Sequence, residues 1–134
     1  MTSDTKRRNA AIEERPLGYA LGGEILGVDM RDPVDPATVE AMRRAWHEHH
    51  VIVLRDQQPS PDDILRFARG FGDLDDHAQT PFYRKDGYPE LLEITTKPKD
   101  GKPSETRNVG RNWHSDYAYT PRPAAASMLF CNEK

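Results

Sequence analysis

Two side chains two positions apart, His114 and Asp116 in the run RNWHSDYAY (111–119), carry the plainest chemical signal in this sequence. Imidazole and carboxylate are both ligands for first-row divalent metals. On a strand, residues i and i+2 point to the same face, so both groups can be aimed at one point while Ser115 turns away. The same geometry excludes a Ser-His-Asp triad built from these three consecutive residues, because the serine would lie opposite its supposed base. Two readings remain. One is a surface ion pair, which chance produces often; the other is two-thirds of a 2-His-1-carboxylate facial triad, which leaves positions on iron(II) open for a cosubstrate and dioxygen.

Other candidates read more simply. HEHH (47–50) lacks the second histidine of H-E-x-x-H, and histidines suit a helix C-terminus, where the dipole favours positive charge. Gly22, Gly23 and Gly27 do not have the G-x-G-x-x-G spacing of a dinucleotide site. The single Cys131, in the apolar run SMLFC, cannot form an intramolecular disulfide and reads as a buried, inert thiol, in keeping with a reducing cytoplasm. Residues 96–112 are rich in proline and glycine and read as a mobile loop. Lys97, Lys99, Lys102, Arg107 and Arg111 outnumber Asp100 and Glu105 there, as a solvated loop or a basic lid over an anionic substrate.

The elements that must position these groups follow from punctuation and periodicity. The charged first fifteen residues read as a flexible leader, and PLGYALGGEILGVDM (16–30) as a small hairpin. Asp35 caps a helix with Pro36 at its first position and Val39, Met42, Ala45, Trp46 and His49 on the inner face. VIVLRD reads as a strand buried on both faces. Ser60, Pro61 and Asp63 then open a second helix as a capping box, with Ile64, Phe67, Ala68 and Phe71 inward and Gly70 and Gly72 at its end. A strand is expected at LLEIT (91–95).

Composition bounds the rest. The 134 residues suit one domain or part of one, and 36% hydrophobic content allows a core. With 19 basic and 22 acidic residues the net charge is -3, which argues against a broad nucleic-acid surface. No apolar run approaches a membrane span. A soluble, cytoplasmic protein with neither a nucleic-acid nor a membrane partner is expected.

The order of these features is more specific than any one of them. GGEILGVD, a helix, a strand ending LRD, a helix ending FGDL and then NWHSDYAYTPRPAAASMLFC resemble the taurine dioxygenase-like (TauD/TfdA-like) family of Fe(II)/2-oxoglutarate-dependent oxygenases, from about Pro16 to the end. The resemblance implies that residues 16–134 are the N-terminal part of an α+β, mainly β domain. Its fold would be a double-stranded β-helix (a cupin-like jelly roll) with flanking helices, and 124–131 an early core strand. It implies His114 and Asp116 as iron ligands, with 2-oxoglutarate and O2 as cosubstrates. By the family's pattern His77, soon after FGDL, lines the substrate pocket, although an ordinary loop histidine is an equal reading. Asn112 and Trp113 adjoin the metal motif as wall residues, although core packing is the commoner role for such an aromatic.

The family's second histidine ligand and its 2-oxoglutarate-binding arginine have no counterpart among these 134 residues. The expected activity is hydroxylation of a small organic substrate, an anionic one on the basic-lid reading, with release of succinate and CO2. The alternatives are an inactive fragment serving as an interaction or oligomerisation module, a homo-oligomer included, and a cupin-like metal protein that does not use 2-oxoglutarate.

Overall fold

The computed structural model describes residues 12–132, and the chain divides into two units, Met1–Asp73 and Leu74–Lys134. In the first, β1 (Glu13–Pro16), β2 (Gly23–Leu26) and β3 (Ile52–Val53) form a sheet in the order β1-β2-β3. β1 and β2 pair antiparallel and β2 and β3 parallel. The expected hairpin is therefore present but starts earlier. Residues 13–15 of the expected leader lie in β1, and 1–11 fall outside the described residues.

As the central strand, β2 is covered on both faces, so adjacent Glu24 and Ile25 are both buried. A carboxylate in that position needs compensation. Arg55 donates to it at 3.0 Å and Arg15 lies 3.6 Å away. Gly23 is required by a close approach, because a Cβ there would come within 2.5 Å of the His49 ring. VIVLRD yields only the two half-buried residues of β3, at the sheet edge, rather than a strand covered on both faces.

Helix α1 (Pro36–His49) starts as its sequence predicts. The Asp35 carboxylate accepts from the backbone N–H groups of Ala37 and Thr38, both at 3.0 Å, and from the Thr38 hydroxyl at 2.7 Å. These bonds hold its carboxyl below the usual carboxylate range, the Thr38 hydroxyl contributing most. The helix ends at His50, in the left-handed conformation with φ 64°. Met42 and Ala45 join Ile25, Met30 and Phe67 in the buried core, with Val39, Ile52, Ile64 and Phe71 packed against it. Gln57 ties the loop after β2 to the loop after β3, accepting from the Met30 N–H at 2.8 Å and donating to the Val28 carbonyl at 3.0 Å.

Helix α2 (Pro61–Arg69) carries the expected capping box. The Ser60 hydroxyl accepts from the Asp63 N–H at 3.2 Å, and the Asp63 carboxylate accepts from the Ser60 N–H at 2.9 Å. Leu65, which the expected inner stripe omits, is buried together with Phe67, which it includes. Ser60→Ala is expected to lower stability by about 1 kcal/mol at neutral pH. Bonds from Ser60, then Arg66, hold the Asp63 carboxyl below its ordinary range. A carboxyl lowered on folding stabilises above its unfolded pKa, and that contribution disappears as pH falls through the folded value. The gap between wild type and variant in urea unfolding should therefore narrow in strong acid; an equal gap at both pH values would disprove the coupling.

In the second unit, β4 (Arg84–Lys85) and β5 (Tyr88–Leu92) form a two-stranded antiparallel sheet. The strand expected at 91–95 thus lies earlier, drawn there by pairing across a turn in which Gly87 has φ 79°. The loop 96–112 is anchored by Thr106, whose buried hydroxyl accepts from the Thr95 N–H at 2.9 Å and donates to the Thr95 carbonyl at 3.1 Å. Its five basic residues are all exposed. Residues 124–131, expected as a core strand, form no strand, and Cys131 is exposed rather than buried. Among the described residues no strand ladder includes this segment, and composition alone supplies no partner strand for one. The double-stranded β-helix is not formed by the described residues; the two small sheets and two helices are what they build.

Candidate metal centre

His114 and Asp116 do not lie on a strand. Residues 113–115 have no regular structure, and Asp116 opens a turn that places Tyr117 at φ 52°. The two side chains nevertheless converge, with His114 Nε2 3.2 Å from Asp116 Oδ1. The two-residue spacing keeps the groups close even without a strand.

The surrounding bonds fix which atoms of the pair face each other. The Asn112 carbonyl, which can only accept, lies 2.7 Å from His114 Nδ1, so Nδ1 carries the hydrogen. In the neutral ring that leaves the Nε2 lone pair directed towards a carboxylate oxygen. Two electron pairs facing each other at this distance are favourable only with a proton or a metal ion between them. Ser127 donates a short hydrogen bond to Asp116 Oδ2, leaving Oδ1 for that role. Such backbone and hydroxyl partners are the support that orients metal ligands. Both side chains remain about half exposed, at 52% and 47%, which leaves room for further ligands.

His77 is held differently. Its Nε2 lies 3.2 Å from the Glu90 carbonyl and its Nδ1 2.6 Å from the Tyr117 hydroxyl, with the Thr80 hydroxyl 3.5 Å from the same oxygen. The His77 and Tyr117 rings stack at 5.8 Å between centroids. Both residues have φ 52°, a left-handed conformation that side chains rarely adopt and that surrounding contacts must hold. Asn112 contributes its carbonyl, and its side chain is exposed. Trp113 is fully exposed, so the core-packing reading does not hold for it. Among the described residues, no hydrogen bond or ring contact joins Asn112 or Trp113 to His77. Sequence reasoning missed Tyr117, Glu90 and Ser127; only the run of aromatics after Asp116 hinted at the first.

A separate cluster joins Glu14 on β1 to Glu48 and His49 at the end of α1, with ligand atoms within 4.8 Å of one another. Both carboxylates are exposed, and exposed acids meet this way without a metal, so the cluster is given no role. Among the described residues no helix is long and apolar enough to cross a membrane.

Comparison with known proteins gives one consistent answer. The family model described as "Taurine catabolism dioxygenase TauD, TfdA family" matches residues 13–134. Pentalenolactone F synthase of Streptomyces avermitilis is 32% identical over 114 residues, covering 84% of this chain and 37% of that protein. The alpha-ketoglutarate-dependent 2,4-dichlorophenoxyacetate dioxygenase of Cupriavidus pinatubonensis is 31% identical over 130 residues, covering 89% of this chain and 45% of that one. The crystal structure of AAD-2 in complex with Mn(II) and N-oxalylglycine matches with a TM-score of 0.68 at 26% identity, over 85% of this chain and 43% of that chain. The chain thus spans less than half the length of these relatives.

Proposed function

Because the chain belongs to the TauD/TfdA dioxygenase family, we propose that it forms the N-terminal part, residues 16–134, of an Fe(II)- and 2-oxoglutarate-dependent oxygenase. The observation that carries this reading is the confrontation of His114 Nε2 and Asp116 Oδ1 at 3.2 Å, with the proton fixed on the opposite ring nitrogen. An imidazole and a carboxylate with open positions around them fit iron(II). The double-stranded β-helix belongs to the same proposal, supported by likeness to the AAD-2 structure, and would be completed by strands outside the described residues.

When bound, iron(II) with 2-oxoglutarate supplies oxidative hydroxylation of a C–H bond, with dioxygen consumed and succinate and carbon dioxide released. This chain's own residues supply the placement. The Asn112 carbonyl and Ser127 hydroxyl orient the two ligands, and His77 offers a ring nitrogen to the prime substrate, with Asn112 and Trp113 at the wall. The exposed basic residues of 96–112 favour an anionic substrate by long-range attraction.

The test is succinate formation by the whole protein given Fe(II), 2-oxoglutarate and a panel of acids. The panel includes 2,4-dichlorophenoxyacetate and an alkyl sulfate ester, each paired with a neutral analogue. The expected result is acid-dependent succinate formation whose apparent affinity weakens as salt rises. Equal turnover of acids and neutral analogues at low salt rejects the anionic preference; no succinate with any acid rejects the oxygenase reading for these substrate classes.

A further inference from the structure

The two oxygens of the Asp116 carboxylate are put to different uses. Oδ1 lies 3.2 Å from His114 Nε2, while Oδ2 accepts the hydrogen of the Ser127 hydroxyl, eleven residues along the chain. An ionised carboxylate can only accept, so the hydroxyl is the donor, and a hydrogen bond to a charged acceptor is roughly twice as strong as one between neutral groups. Ser127 carries the only hydroxyl in the apolar run AAASMLFC (124–131), the segment that no strand ladder includes. Its bond thus ties that segment to the metal motif at one oxygen of one ligand.

A carboxylate can hold a cation through one oxygen or through both. Bringing both to the ion would require Asp116 to turn and Oδ2 to give up its hydrogen bond. We propose that Ser127 is a positioning residue that keeps Asp116 a one-oxygen ligand, a role that rests on the reading of His114 and Asp116 as ligands under Proposed function. Holding Oδ2 away leaves one more position on the ion than a two-oxygen carboxylate would. That position matters where a cosubstrate and dioxygen must reach the same ion. Without the hydroxyl, Oδ2 is free to rotate onto the ion and fill it. Threonine keeps a hydroxyl on the same side-chain carbon, whereas alanine removes it.

Mn(II) bound to the whole protein is the probe, with its bound waters counted from oxygen-17 and proton relaxation of the solvent and its affinity taken from the electron paramagnetic resonance signal of the free ion. Ser127→Ala is expected to hold one water fewer than wild type, and Ser127→Thr to restore the wild-type count. A loss of packing would not produce that pattern, because Ser127 is exposed and alanine leaves no cavity there. Asp116→Ala checks the site itself, and is expected to weaken Mn(II) binding at least about tenfold. Equal water counts in wild type and Ser127→Ala, with that weakening present, overturn the role of Ser127 and leave the ligand assignment standing. Mn(II) binding lost altogether in Ser127→Ala also overturns it, since the second oxygen would not have reached the ion. An affinity unchanged in Asp116→Ala overturns the ligand assignment, and the role of Ser127 with it.

Discussion

On the proposed reading, Asp116→Ala made in the whole protein is expected to lower 2-oxoglutarate-dependent turnover at least about a hundredfold, because removing a supporting partner of a metal ligand already costs about 10- to 100-fold and here the proposed ligand itself would be lost. The fold should survive. Asp116 is about half exposed and, among the described residues, its polar partners are Ser127 and His114, so alanine leaves neither a core cavity nor a buried unpaired group. The check combines succinate formation, iron(II) affinity and thermal unfolding of the same preparation. Turnover within a few-fold of wild type would remove Asp116 from the ligand set, whereas a lost fold would show that the turn at Asp116 carries structure.

Met42→Ala is the stability counterpart, with an expected loss of about 2 to 5 kcal/mol. Met42 is the one large side chain with no solvent exposure among the described residues, and it lies in the cluster with Ile25, Met30, Ala45 and Phe67. That loss is a large share of the roughly 5 to 15 kcal/mol by which domains are stable. Met42→Leu, which keeps the volume, should cost less than about 1.5 kcal/mol. Urea unfolding followed by circular dichroism reads both. Equal losses for alanine and leucine would mean that shape, rather than cavity formation, governs this site.

Much of the first unit was legible because its signals are local. Asp35-Pro36 and Ser60-Pro61 mark helix starts through bonds to backbone groups two or three residues away, and those bonds form whatever else the chain does. The strands were read less well. VIVLRD has the composition of a strand covered on both faces, yet only Ile52–Val53 pair, since β3 has a neighbour on one side alone. AAASMLFC has an equally apolar composition and forms no strand, since ladder hydrogen bonds need a partner that composition does not supply. The same dependence misplaced Cys131 and the packing role of Trp113.

For the site, the sequence by itself determined the family and placed His114 and Asp116 close enough along the chain to meet, although the strand assumed for them is not formed. It also placed the chemical types beside one another in the right order. Only the folded structure decided which nitrogen of His114 carries the hydrogen and which faces Asp116, because that depends on where the Asn112 carbonyl turns. It alone joined His77 to Tyr117 and Glu90, forty and thirteen residues away, because hydrogen bonds across such separations are set by how the backbone folds back rather than by spacing along it.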